Sequence, residues 1–236
     1  SWDVSAKQNG SVIAWLDGTK VYIGGKGEVI GNANSSCMFV KFGNLTKVKF
    51  NNKIDTSKVT NMYSMFYGCV KIFDLDLENL ETENVTNMGR MFDICSSIEI
   101  VNLSNFNTSK VTNMSWMFGS CKKIKTIDVS SFDTSNVTNM RGMFGWMQNQ
   151  NFTEINLSSF NTKNVKNMSN MFTADINLKT IYVSDKFTVT NVTDSTRMFE
   201  SDTNLVGGNG TIFDSNYIDK TYALIDKPGQ VGYFTD

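Results

Sequence analysis

Val111-Thr112-Asn113-Met114-Ser115-Trp116-Met117-Phe118-Gly119-Ser120-Cys121 is the stretch on which the fold turns. Met114, Met117, Phe118 and Cys121 stand at i, i+3, i+4 and i+7, the spacing of one apolar helix face. Thr112 is placed to cap that helix through its hydroxyl. Ile124, Ile127, Val129 and Phe132 follow, and Ile127 and Val129 alternate with polar neighbours as a one-sided strand requires. Asp133-Thr134-Ser135 supplies turn chemistry. The unit predicts a short helix, a strand and a turn.

The unit recurs. Val59, Val85, Val111, Val137, Val165 and Val192 each open a copy, at steps of 26, 26, 26, 28 and 27 residues. Each copy carries a Met-Phe pair, from Met65-Phe66 to Met198-Phe199, and Met38-Phe39 aligns with them as a half-unit. The apolar positions 1, 4, 6 and 9 of the strand segment fit the leucine-rich-repeat template, whose period lies in the twenties. The pattern predicts an α/β repeat: a leucine-rich-repeat solenoid with a parallel β-sheet on one face, short helical segments on the other, and β-hairpin caps at both ends. Residues 1–44 read as an N-terminal cap with a hairpin about Asp17-Gly18 and a half repeat. Residues 45–204 read as an array of about six units. Residues 205–236 read as a C-terminal cap, with Tyr222–Ile225 and Val231–Phe234 as a small hairpin over the last rung. Stacking is what buries the apolar side of each rung.

Composition excludes several functions. A net charge of −1 over 236 residues lacks the basic footprint of a nucleic-acid binder. The chain has no histidine, which removes Ser-His-Asp and Cys-His catalysis and the commonest zinc ligand. No apolar run approaches the roughly 18 residues of a membrane span. No enzyme, cofactor or metal is expected.

The Asn-Val-Thr-Asn-Met-x-x-Met-Phe signature, the cysteine that follows it and the Phe-Asp-Thr-Ser turn resemble the repeat of BspA-like leucine-rich-repeat surface proteins. The resemblance runs from about Ser11 to Asp236 and includes the Leu205–Thr211 and Tyr222–Asp226 segments. It implies an extracellular or cell-surface bacterial protein, with signal and anchor segments outside this chain. It implies adhesion, in some members to host matrix proteins such as fibronectin or fibrinogen, and it supplies no catalytic residues.

The partner is therefore expected to be a protein or glycan on a host or neighbouring cell surface, bound without membrane insertion. Self-association as a building block of a surface layer or fibre is the alternative. Function is expected on the outward strand positions, as partner contacts: Asp74, Asp76, Ile100, Asn102, Asp128, Asn156 and Tyr182. Lys47 and Lys49 stand one rung from Asp74, Asp76 and Glu78, so cross-rung ion pairs are expected, and the three carboxylates are a weaker candidate for a hard cation. Ile100 and Tyr182 are the apolar anchors, with Trp116 and Tyr63 as reserves on the helical face. Cys69, Cys95 and Cys121 form a column continued by Met147. Helices roughly 8–10 Å apart would hold these thiols beyond disulfide reach, whereas extended rungs would bring them closer. Gly24-Gly25-Lys26-Gly27 reads as a cap turn.

Overall fold

A computed structural model of the chain describes residues 2–3, 12–17, 20–25, 29–50 and 54–236. The elements in order are β1 (Trp2–Asp3), β2 (Val12–Asp17), β3 (Lys20–Gly25), β4 (Val29–Ile30), β5 (Lys47–Lys49), β6 (Ile54–Asp55), β7 (Asp74–Asp76), β8 (Glu154–Asn156), β9 (Thr180–Tyr182), a 3₁₀ turn at Lys220–Tyr222, and β10 (Phe234–Thr235). Strands β1, β2 and β3 pair antiparallel. Strand β5 pairs parallel with β7, β4 with β6, and β8 and β10 flank β9, both parallel to it. Asp17 and Lys20 face each other at the closed end of the front hairpin. Gly18, like Ser11, Lys26, Gly27 and Asn51, lies outside the described residues.

The expected fold class, an α/β leucine-rich-repeat solenoid with one parallel sheet face and a helical face, is overturned. Among the described residues there is no α-helix, and the parallel strands form small separate sheets rather than one continuous face. The Met-Phe segments are runs of β-turns. In one of them Met65 N–H donates to Met62 O at 3.2 Å, Tyr67 to Ser64 at 3.1 Å and Cys69 to Phe66 at 3.1 Å. The alternate amides leave the rung altogether: Met62 N–H reaches Asn87 O, Ser64 reaches Gly89, Phe66 reaches Met91 and Gly68 reaches Asp93, all at 2.8–2.9 Å. Ser64 and Gly68 sit at φ of 56° and 73°, the left-handed region that a turn can use and a helix interior cannot. Turns closed over three residues carry side chains to one face at steps of three and four, as a helix does. Hence Met114, Met117, Phe118 and Cys121 are all fully buried although no helix carries them. Thr112 caps nothing; its hydroxyl donates to Thr86 O of the preceding rung at 3.2 Å.

Backbone bonding between rungs brings them close. Phe39, Phe66, Phe92, Phe118, Phe144, Phe172 and Phe199 stack in one column, with centroids 5.3–5.9 Å apart and planes within 15° of parallel. Such spacing is close to that of neighbouring β-strands and well below that of packed helices. The first rung is entered through Phe39, as the Met38-Phe39 alignment predicts.

Polar ladders hold the edges of this apolar column. Asn34, Asn61, Asn87, Asn113, Asn139, Asn167 and Asp194 bridge in parallel from rung to rung. From Asn61 onward each side-chain oxygen accepts the N–H two residues on, as in Ser115 N–H to Asn113 Oδ1 at 3.0 Å. Buried Thr56, Thr82 and Thr134 do more. The Thr134 hydroxyl donates to Asn161 O at 3.1 Å and accepts from Asn161 N–H at 2.8 Å, leaving neither backbone group unsatisfied.

The expected C-terminal hairpin is also corrected. Lys227 and Gln230 do close a tight antiparallel turn. The arm beyond it, however, adds β10 parallel to β9, with Phe234 opposite Ile181. Tyr233 and Phe234 then cover the Phe199 ring edge-on at 5.2 and 5.9 Å. A Cβ on Gly207 would stand 2.2 Å from Gly232 O, so the tail reaches its seat only because residue 207 lacks a side chain.

Candidate recognition surface

Parallel register sets the outward strand positions in rows. Lys47 lies opposite Asp74 and Lys49 opposite Asp76; Asn156, Tyr182 and Thr235 form a second row. The expected cross-rung ion pairs are present: Lys47 with Asp74, and Lys49 Nζ 3.9 Å from Asp76 Oδ2. A third, Lys125 to Glu99 at 2.7 Å, continues the pattern. The hydrogen bond from Lys47 holds the Asp74 carboxyl below its ordinary value. These carboxylates are engaged by ammonium groups, and among the described residues no three His, Cys, Asp or Glu side chains gather where a metal ion could sit.

Ile100, Asn102 and Asp128 fall between the β5–β7 sheet and the β8–β9–β10 sheet, on segments that alternate exposed and buried residues without a regular ladder. Ile100 is 67% exposed. Asn102 Oδ1 accepts from Ser104 N–H at 3.1 Å, Asp128 Oδ1 from Ser130 N–H at 3.0 Å and Asn156 Oδ1 from Ser158 N–H at 2.9 Å. Ser130's hydroxyl and N–H lower the Asp128 pKa. Each of these side chains closes an Asx turn with one oxygen and leaves the rest of its polar head exposed. The signal was legible in the sequence as Asn/Asp-x-Ser at each site. Tyr182 breaks the series: it is half-buried on the middle strand of its sheet rather than at an edge.

Three features lie outside the expected site. A cavity of about 530 Å³ opens against Asp55, Glu78, Leu80, Glu81 and Asn105. The cysteine column holds free thiols: Cys69, Cys95 and Cys121 are buried and donate to Phe39, Phe66 and Phe92 carbonyls at 3.0–3.2 Å, while Cys37 is free and exposed. Burial pushes the Cys69 thiol up to about 11. That column runs past Met147 to Asp175 and Asp202, ten residues after Val165 and Val192. Asp175 Oδ1 accepts from Met147 N–H at 2.8 Å and Asp202 Oδ1 from Asp175 N–H at 2.9 Å, while both Oδ2 atoms are buried without a partner. Burial raises both carboxyls well above the ordinary range.

The third feature is aromatic and lies on the turn face. Trp116 and Trp146 stack at 5.0 Å with planes 5° apart, and the Arg141 guanidinium lies 6.0 Å from the Trp116 ring. Arg90 sits likewise 5.5 Å from the Tyr67 ring. Trp116 and Tyr63, the reserve candidates, are both half-buried; Trp146, which the sequence reading passed over, is the exposed member.

A family profile described as "Mycoplasma protein of unknown function, DUF285" matches residues 34–145 and, in a second copy, 121–220. None of the curated proteins compared matches the chain. The crystal structure of a leucine-rich repeat protein from Bacteroides ovatus ATCC 8483 aligns over 84% of this chain and 80% of that one, at 12% identity and a TM-score of 0.23.

Proposed function

We propose, for a chain that belongs to the family described as Mycoplasma protein of unknown function, DUF285, a non-catalytic recognition role at the cell surface or outside the cell. The partner is a macromolecule such as a host matrix protein, met by the outward strand rows. The observation that carries this reading is the parallel pairing of β5 with β7 and of β8 with β9, which sets short polar rows side by side, together with Ile100, 67% exposed on the unpaired segment between those two sheets. A surface of mostly polar side chains with few apolar anchors suits a large partner better than a small substrate. The likeness of the Asn-Val-Thr-Asn-Met-x-x-Met-Phe signature to BspA-like surface proteins supports the extracellular placement and the adhesive role.

Binding of the chain to immobilised fibronectin and fibrinogen tests this reading. Ile100→Ala and Tyr182→Ala should each weaken the interaction, by roughly 1–2 kcal/mol for a central anchor. Undiminished binding by both folded variants, or no binding of the parent chain to either protein, counts against it. A second reading, end-to-end self-association, draws on the C-terminal segment, where Ile212 and Val231 are 72% and 56% exposed. Light scattering over a concentration series separates the two: a monomer at all concentrations removes the second.

A further inference from the structure

The turn face carries a feature that the strand rows do not explain. Core aromatics in these rungs are sealed, with Phe118 and Phe144 fully buried. Trp146 is 39% exposed although it stacks on Trp116. Its place in the column is held by Ser120 one rung before and Ala174 one rung after, two small residues that leave the indole uncovered at its sides. Beneath the pair the backbone is cleared for it. A Cβ on Gly142 would stand 2.3 Å from Trp116 Cε3, and one on Gly119 would stand 3.0 Å from the same atom. Two glycines thus let Trp116 lie across two rungs as a bed for Trp146.

The charge beside this shelf lacks a contact ion pair. Arg90 is balanced by Asp93 at 3.7 Å and Arg197 by Glu200 at 3.5 Å. Arg141, exposed and above Trp116, has no ion-pair partner within 4.0 Å among the described residues and acts only at longer range on Asp194, whose pKa it helps to lower. An exposed indole offers a flat apolar face, and a guanidinium without a contact ion pair offers a two-pronged donor for a carboxylate. A ligand that uses both needs a flat C–H face and an anionic group on the same small ring. A pyranose bearing a carboxylate has that combination.

We propose that the Trp116–Trp146 stack, with Arg141 set over Trp116, is a binding site for a uronic-acid-containing glycan. The sugar ring stacks on the Trp146 indole, and its carboxylate pairs with the Arg141 guanidinium. The site lies on the turn face, so it stands or falls independently of the strand-row reading.

Hyaluronan hexasaccharide, which carries glucuronic acid, and chitohexaose, a neutral chain of the same length, are titrated into the full chain. Intrinsic tryptophan fluorescence and calorimetry report binding. The site predicts saturable binding of hyaluronan, at least tenfold tighter than of chitohexaose. Trp146→Ala should lower hyaluronan affinity tenfold or more, and Arg141→Gln should bring the two sugars level. Tyr182→Ala should leave both titrations unchanged, which separates this site from the strand rows. Arg141 is exposed, so its variant keeps the test decisive if Trp146→Ala folds poorly. No saturable binding of hyaluronan, equal affinity for the two sugars in the parent chain, or full binding by folded Trp146→Ala overturns the proposal.

Discussion

Replacing Thr134 by valine tests whether hydroxyl ladders hold the rungs together. Thr134 is 1% exposed, and its hydroxyl meets both the N–H and the C=O of Asn161 in the next rung, at 2.8 and 3.1 Å. Valine has nearly the same shape, so packing is preserved while both backbone groups lose their partner. An unsatisfied buried donor costs about 1–3 kcal/mol, and the orphaned carbonyl adds to it, so Thr134→Val should lose about 2–4 kcal/mol. Thr134→Ser keeps the hydroxyl and loses one methyl, at about 1 kcal/mol. The expected order is therefore parent, serine, valine. Urea unfolding measures it, followed by far-ultraviolet dichroism and tryptophan fluorescence together, because stacked repeats can lose all-or-none behaviour. A valine variant within 0.5 kcal/mol of the parent, or less damaging than serine, would refute the ladder argument.

Further expectations rest on single groups. Phe118 is fully buried and stacked on Phe92 and Phe144, so Phe118→Ala should cost about 3–5 kcal/mol or more by urea unfolding. Asp128→Ala loses an exposed turn interaction with Ser130 and should cost about 0.5–1.5 kcal/mol. Burial lifts the Asp93 carboxyl from its ordinary 3.8 to about 6, against the pull of Arg90. The folded protein then holds that proton longer than the unfolded chain does, so the Asp93 contribution to stability should fall as pH rises from 3.8 to about 6 and level off above. Asp93→Asn should make that slope shallower by the Asp93 share, about 3 kcal/mol at most, leaving the share of the buried Asp175 and Asp202 carboxyls. Native protein should show one fast thiol, Cys37, and three slow ones with a thiol reagent; fast labelling of Cys69, Cys95 and Cys121 would displace that column from the core.

The sequence made the register and the facing of the unit readable but not its backbone. Met114, Met117, Phe118 and Cys121 face inward as their spacing predicts, because turns and helices share that spacing. What separates the two is where the alternate amides go, and that is a relation between rungs. Asn113 and Ser120 hinted at it, since Asn and Ser suit turns and the left-handed region better than a helix interior. The free thiols were expected from a helical spacing that does not exist. They persist in the tighter stack with each sulfur turned to a carbonyl of the preceding rung. Of the surface residues, Lys47 and Asp74 paired as their columns implied. The supporting roles of Asn102, Asp128 and Asn156 came from local turn chemistry, which the column reading overlooked. Trp146 escaped notice because its importance depends on two glycines, Gly119 and Gly142, in other parts of the repeat.

Hydrogen-bond scalar couplings across the Met-Phe segments bear most directly on the account, since rung-to-rung bonding is what sets the rows in register. In the folded chain the Arg90 amide nitrogen should couple to the Ser115 carbonyl carbon, and Phe92 to Met117, matching donor–acceptor distances of 2.7 and 3.0 Å. Couplings from Arg90 to Thr86 and from Phe92 to Met88, the i−4 pattern of an α-helix, would contradict it.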